Sequence, residues 1–223
     1  MMTNLFSIFD PSTPNFFSSN WISALIPLLL LPPVVWAMPV RWTQVIYLTL
    51  SFLFKEFFPL LKKSAFVLIM ALALFFFISL NNIMGLAPYI FTATTQLVFT
   101  AALAIPLWLT LMLYGWLNNP SNLLIHLIPQ STPLILMPFM VLIETISNII
   151  RPLTLTMRLT ANMVAGHLLI TLLNSMDFTP PLLATPLLFI IKQLLLLLEI
   201  AVAIIQAYVF SVLMTLYAAE FTN

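Results

Sequence analysis

Apolar residues run along this chain in long blocks, broken by short polar or proline-rich punctuation, and the block lengths predict the elements. Residues 1–15 mix polar and apolar positions and carry Asp10-Pro11 and Thr13-Pro14. Such dipeptides argue against a long helix there. Residues 16–40 form the first apolar block, longer than the ~20 residues that cross a hydrocarbon layer. Trp21 and Trp36 flank it, where indoles favour the interface, and Pro32-Pro33 should kink it. Between 41 and 63 the pattern changes. Trp42, Ile46, Leu50, Leu53, Phe54 and Phe57 recur at near-helical spacing among Arg41, Lys55, Lys62 and Lys63. This predicts an amphipathic helix lying on the membrane, with a turn at Pro59. Blocks 64–88 and 96–117 predict a second and third span, with a turn around Gly85 and Pro88 between them and a kink at Pro106.

Two further blocks, 133–173 and 182–219, are unusually long. A helix of about 40 residues would extend about 60 Å, against a hydrocarbon core of about 30 Å. No polar loop within 133–173 could join two full spans. The pattern predicts a bent, steeply tilted helix with Pro138 and Pro152 as bending points. A turn at 174–181 then leads to an antiparallel partner of similar length. The predicted fold is an all-α integral membrane protein forming a single membrane domain over 1–223. It has three roughly upright transmembrane helices, an amphipathic surface helix, and a hairpin of two long tilted helices.

Composition supports the class. Of the 223 residues, 62% are hydrophobic and 6% charged, where a soluble domain carries about 25% charged residues. A net charge of +1 excludes a phosphate-tracking nucleic-acid partner. There is no basic n-region before a short apolar core and cleavage site, so no removable signal peptide is expected. Cysteine is absent and glycine occurs three times, which leaves no thiolate site and no glycine-rich phosphate loop. His126 and His167 fall on opposite sides of the predicted topology, which argues against a haem. No cofactor and no metal are expected. Four of the seven basic residues lie within 41–63, so this segment faces the side equivalent to a cytoplasm and the N-terminus faces the other.

The chemistry is concentrated between Glu144 and His167. A charge at bilayer depth costs roughly 2.5–3.5 kcal/mol or more, so such groups pair, face water or do work. Glu144, Arg151 and Arg158 recur every seven residues, which places them along one edge of a helix, about 21 Å from first to last. Asn162 continues that edge. His167, nine residues beyond Arg158, points to the opposite side. On the return helix Lys192 and Glu199 come first, then Gln206 on the face of Glu199, then Glu220 at the far end. Two polar clusters result, His167 with Glu199 and Glu144 with Glu220, with Arg158 between them in depth. A neutral imidazole passes protons in both directions, whereas a guanidinium stays protonated. Arg158 is therefore a poor relay and a good barrier. No carboxylate of the chain shares its face and depth, so an acid that meets it must come from another subunit. Lys192 fits an interfacial role.

The motifs Glu144–Asn148, Arg158–Asn162 (RLTAN) and Ala165–Leu168 (AGHL) resemble the core of the subunit a family of F-type ATP synthases, in its mitochondrial form. So do Asn82–Phe91 (NIMGLAPYIF) and Glu199–Val209 (EIAVAIIQAYV). The resemblance spans most of the chain and is weakest over the first 60 residues. It implies a non-catalytic, proton-translocating stator subunit. Two offset half-channels would deliver protons to and from the carboxylates of a ring of c subunits. Arg158 would separate them, with His167, Glu199 and Gln206 on the intermembrane side and Glu144 and Glu220 on the matrix side. Asn162 and Arg151 would support them. The implied setting is the mitochondrial inner membrane, beside other membrane-sector and peripheral-stalk subunits, with the N-terminus in the intermembrane space and the C-terminus in the matrix. Two alternatives are a proton-coupled secondary transporter and a structural subunit of a respiratory complex. The first usually shows internal repeats with interrupted helices, and the first half has no counterpart of the Arg158 region.

Overall fold

In hydrocarbon every backbone N–H and C=O must be satisfied within the protein, so apolar blocks of this length fold as helices. The computed structural model describes residues 5–13, 20–30, 41–60, 65–87, 90–118, 136–175 and 185–222, with isolated positions between 119 and 135. The chain is all-α. A 3-10 turn at Leu5–Phe9 is followed by another at Asn20–Leu25, which runs into the short helix α1 (Ile26–Leu30). Then come α2 (Arg41–Phe57) and α3 (Ala65–Gly85). A 3-10 turn at Ala93–Thr95 leads into α4 (Leu97–Asn118). The chain ends in α5 (Met137–Ser175) and α6 (Thr185–Thr222). Much of the expected first span lies outside the described residues, as do Lys62, Lys63, His126 and most of the expected turn after α5.

Among the described residues four helices, α3 to α6, are long and apolar enough to cross a membrane. The two of 21 and 22 residues match a hydrocarbon core of about 30 Å at 1.5 Å per residue. The 39 residues of α5 reach about 58 Å, close to twice that thickness. Pro152 is buried inside α5, which runs on without a break. Pro138 is the second residue of α5. It therefore sits in the first turn, where a missing N–H costs nothing, and does not bend the helix interior.

One ridge on α6 organises the packing. Ala203, Ala207, Ser211 and Thr215 recur every four residues and are fully buried. Small side chains at this interval let a neighbouring backbone approach closely, which is how membrane helices associate without a hydrophobic driving force. The ridge hydroxyls are satisfied locally. Ser211 donates to the Tyr208 carbonyl and Thr215 to the Val212 carbonyl, both at 2.8 Å. Helix α3 packs along α6, with α4 and α5 beside them. Ile78, Ala104, Leu155, Leu159, Ala207 and Phe210 form one core cluster from four helices.

The second cluster shows where α2 sits. Leu53 and Phe57 are buried with Leu68, Ala71, Leu72, Leu111, Met214 and Ala218. The apolar edge of α2 thus docks on α3 and the C-terminal part of α6. Phe54, expected on the same edge, points away and is 45% exposed. Glu56 accepts a hydrogen bond from the Tyr208 hydroxyl at 3.1 Å. At the far end of α3, Gly85 makes room for the turn that follows. A Cβ there would come within 2.8 Å of the Thr92 methyl.

Phe57→Ala should therefore destabilise the detergent-solubilised protein by about 3–5 kcal/mol, the usual cost of emptying a buried aromatic site. Phe54→Ala should stay within about 0.5 kcal/mol. Denaturant unfolding of the two variants checks this, and equal losses would show that α2 is not docked as described.

Candidate functional site

The site forms where α5 and α6 run side by side. Arg151 of α5 lies over the Tyr217 ring of α6, with the guanidinium carbon 5.1 Å from the ring centroid. Further along, Asn162 Nδ2 donates to Gln206 Oε1 at 2.9 Å. Further still, the Glu199 side chain lies against Gly166. As positions rise along α5 their partners fall along α6, so the helices are antiparallel. From Arg151 to Gly166 is 15 residues, or about 22 Å of helix.

The residues of α5 divide by face. Pro152, Leu155, Thr156, Leu159, Thr160 and Met163 are buried and define the packed face at the i, i+3, i+4 interval. His167 and Gly166 project toward that face. Glu144, Arg151, Arg158 and Asn162 lie along the adjoining outer edge, in keeping with the seven-residue spacing. Around Arg158 that edge is lined by small residues. Thr154, Ala161 and Ala165 are exposed there.

The two guanidiniums have different surroundings. Arg151 Nη2 is 3.6 Å from Glu144 Oε1, about two helical turns away, and its guanidinium lies over the Tyr217 ring. In water a surface pair is worth about 0–1 kcal/mol. In hydrocarbon an unpaired charge costs roughly 2.5–3.5 kcal/mol or more, so pairing decides where these two side chains rest. Arg151 thus contacts its own chain. Arg158 is exposed and has no ion pair or hydrogen bond among the described residues. Across from it, α6 presents Phe210 and Ala207, which belong to the apolar cluster.

At the other end, Glu199 is 5% exposed. Its burial follows from its place four residues before Ala203, at the head of the small-residue ridge. A Cβ on Gly166 would run into the Glu199 carboxylate, so the only residue type that admits Glu199 here is glycine. The carboxylate is thereby seated beside the residue that precedes His167. Both Glu199 oxygens and His167 Nε2 are buried without a hydrogen-bond partner among the described residues. So are Gln206 Nε2, Asn82 Oδ1 and Thr94 Oγ1. Asn82 Nδ2 donates to the Ala203 carbonyl at 3.4 Å, which puts this amide between Glu199 and Gln206 along α6. Buried polar atoms left unpaired cost about 1–3 kcal/mol each. These atoms, on α3, α5, α6 and the turn before α4, are polar positions set into apolar packing.

Each residue singled out in the sequence can now be placed. His167 and Glu199 come together through Gly166, and Asn162 and Gln206 bond directly. Glu144 is engaged by Arg151. Lys192 is half-buried near the start of α6. Glu220 lies in the last turn of α6, with its side chain outside the described atoms. Sequence reasoning missed Gly166, Asn82, Thr94, Tyr217 and Phe9. The first two sit inside motifs that were recognised, AGHL and NIMGLAPYIF, and could have been read from them. Phe9, whose ring meets the His167 imidazole edge-on at 6.4 Å, carries no signal in periodicity or charge.

Comparison with known proteins adds an independent line. The sequence model of the ATP synthase A chain family matches residues 17–219. The chain is 53% identical to ATP synthase subunit a of Drosophila melanogaster over 225 residues, covering 99% of both chains. It is 54% identical to ATP synthase subunit a of Anopheles quadrimaculatus over 224 residues and 51% identical to that of Locusta migratoria over 229, again covering 99% of each.

The niche at Gly166 predicts a specific rescue. Gly166→Ala should destabilise the protein by about 1–3 kcal/mol through overpacking against Glu199. Adding Glu199→Asp, which shortens the clashing side chain, should recover part of that loss. Thermal unfolding of the two single variants and the double variant measures the coupling. Additive losses would mean that the two side chains do not meet.

Proposed function

The chain belongs to the ATP synthase A chain family, and from that premise we propose that Arg158 is the barrier between two offset proton half-channels. As a member of that family the chain is a non-catalytic, proton-translocating stator subunit of ATP synthase, working beside a ring of c subunits. The observation that carries the proposal is the setting of Arg158. It is exposed on a small-residue edge of α5, without a partner among the described residues of its own chain. It lies along α5 between the Arg151–Glu144 pair and the His167–Glu199 group. Small neighbours favour close approach of a helix from another subunit.

The chemistry follows from that setting. On the inlet side, His167, Glu199 and Gln206 supply a titratable imidazole, a carboxylate and an amide along one track. Protons reach a ring carboxylate there. As the ring turns, that carboxylate comes to Arg158. At about 4 Å and an effective dielectric near 20, the guanidinium favours the ionised form by of order 4 kcal/mol. The proton leaves toward Glu144 and Glu220 on the other side. Because a guanidinium keeps its proton, Arg158 cannot relay one directly between the channels, and flow is forced through the ring. A potential of 100 mV adds about 2.3 kcal/mol per proton. Asn162, one turn from Arg158, orients Gln206 at the inner end of the inlet. Arg151 holds Glu144 at the outlet.

The fold reading fits this role. The length of α5 and α6 supports a steeply tilted hairpin, packed on more upright spans, that presents one long flank to the ring. The chain is a multi-pass membrane protein. The basic residues around α2 support the matrix side for that segment and for the C-terminus, and the intermembrane side for the N-terminus, in the mitochondrial inner membrane.

Arg158→Ala should leave the complex assembled and abolish proton-driven ATP synthesis, measured in energised inner-membrane vesicles. It should also raise passive proton leak, because the barrier between the channels is gone. Persistence of coupled synthesis in the assembled variant would overturn the proposal.

A further inference from the structure

The N-terminal segment is the part of the chain with no recognisable motif, yet it reaches the inlet site. The Phe9 ring meets the His167 imidazole at 6.4 Å between centroids and 77° between planes, an edge-on pair. His167 makes no hydrogen bond among the described residues, and its Nε2 is buried. An imidazole without hydrogen bonds is oriented by packing alone. Gly166, on its N-terminal side, has no side chain to help, and the Glu199 carboxylate fills that space.

Phe9 is itself tied down. Gln96 Nε2, just before α4, donates to the Phe9 carbonyl at 2.6 Å. The next residue continues the tether. The Asp10 carbonyl accepts from Asn20 Nδ2 at 3.4 Å, and Asp10 Oδ1 accepts from the Ser12 amide at 3.0 Å. Beyond Asn20, Trp21 packs edge-on against Phe91 at 6.2 Å. The described part of the N-terminal segment is thus tied by side-chain contacts to Gln96 and Phe91, both ahead of α4, and brings one aromatic ring onto one titratable side chain.

We propose that Phe9 is a positioning residue for the His167 proton relay: its ring, anchored through Gln96, sets the orientation of the imidazole and covers its outer side. This rests on the reading of His167 as part of the inlet. The Glu199 carboxylate sits against Gly166, the residue before His167, so a turned imidazole changes both its own exposure and its alignment with that carboxylate.

The test uses the assembled complex in inner-membrane vesicles. Diethyl pyrocarbonate modification of His167, followed by mass spectrometry, reads the cover. Passive proton conduction and its pH profile read the relay. Phe9→Ala should speed modification by roughly fivefold, the scale of losing one edge-on aromatic contact, and should lower conduction with a shifted pH profile. Phe9→Tyr, which keeps the ring, should restore both. Gln96→Leu leaves both rings in place and frees the anchor. It should change both readings in the same direction, and it carries the test if Phe9→Ala lowers assembly. Unchanged modification in Phe9→Ala and Gln96→Leu would overturn the proposal. So would faster modification with conduction and pH profile unaltered, since Phe9 would then only cover. His167→Ala is the separate control. If conduction survives it, the assignment of His167 to the inlet fails, whatever Phe9 does.

Discussion

A guanidinium within an apolar span, with no counter-charge among the described residues of its own chain, is the constraint on which the rest of the structure turns. Arg158 stands on the outer edge of α5, and nothing in the described chain neutralises it. Such a group is costly in hydrocarbon. The proposed ring carboxylate would meet that cost from outside the chain, and the small residues around Arg158 leave room for its close approach. The remaining helices hold α5 so that this one side chain faces outward at a set depth while the polar track stays on the packed side.

That division depends on α6. Its ridge of Ala203, Ala207, Ser211 and Thr215 draws neighbouring helices close, and Glu199 is carried into the interior because it heads the same ridge. A carboxylate in that position needs space, and the missing side chain of Gly166 supplies it. Packing and proton chemistry are therefore one problem here. The interval of four that lets the helices approach also aligns Glu199 and Ala203 with Gln206 and the amide of Asn82. Loss of the ridge would remove the track as well as the fold.

Much of this was legible in the sequence because it follows from period and length. The seven-residue spacing put Glu144, Arg151 and Arg158 on one edge and His167 on the other. Block length showed that α5 and α6 exceed a membrane thickness. What stayed hidden depended on contacts between distant segments. Nothing local marks Phe9 as a neighbour of His167, since the two meet only through a contact between distant segments, with Gln96 holding the Phe9 carbonyl. The contact of Arg151 with Tyr217, near the far end of α6, has no local mark either. Pro138 looked like a bend because its block begins at Pro133, whereas the helix begins at Met137.

The two arginines show what a membrane interior does with identical chemistry. Arg151 and Arg158 share a helix, an edge and an apolar setting, and differ in what α6 offers opposite each. Tyr217 and Glu144 receive the first. Phe210 and Ala207 oppose the second, and neither accepts a hydrogen bond from it. An acid placed on α6 at that level would capture Arg158 with an attraction of order 4 kcal/mol at contact distance. A carboxylate arriving on another subunit would then have to displace it, and the ionised form would gain little. On the proposed reading, the apolar residues of α6 at that level are as necessary to a barrier as the guanidinium itself, because they leave the charge available to a partner that moves.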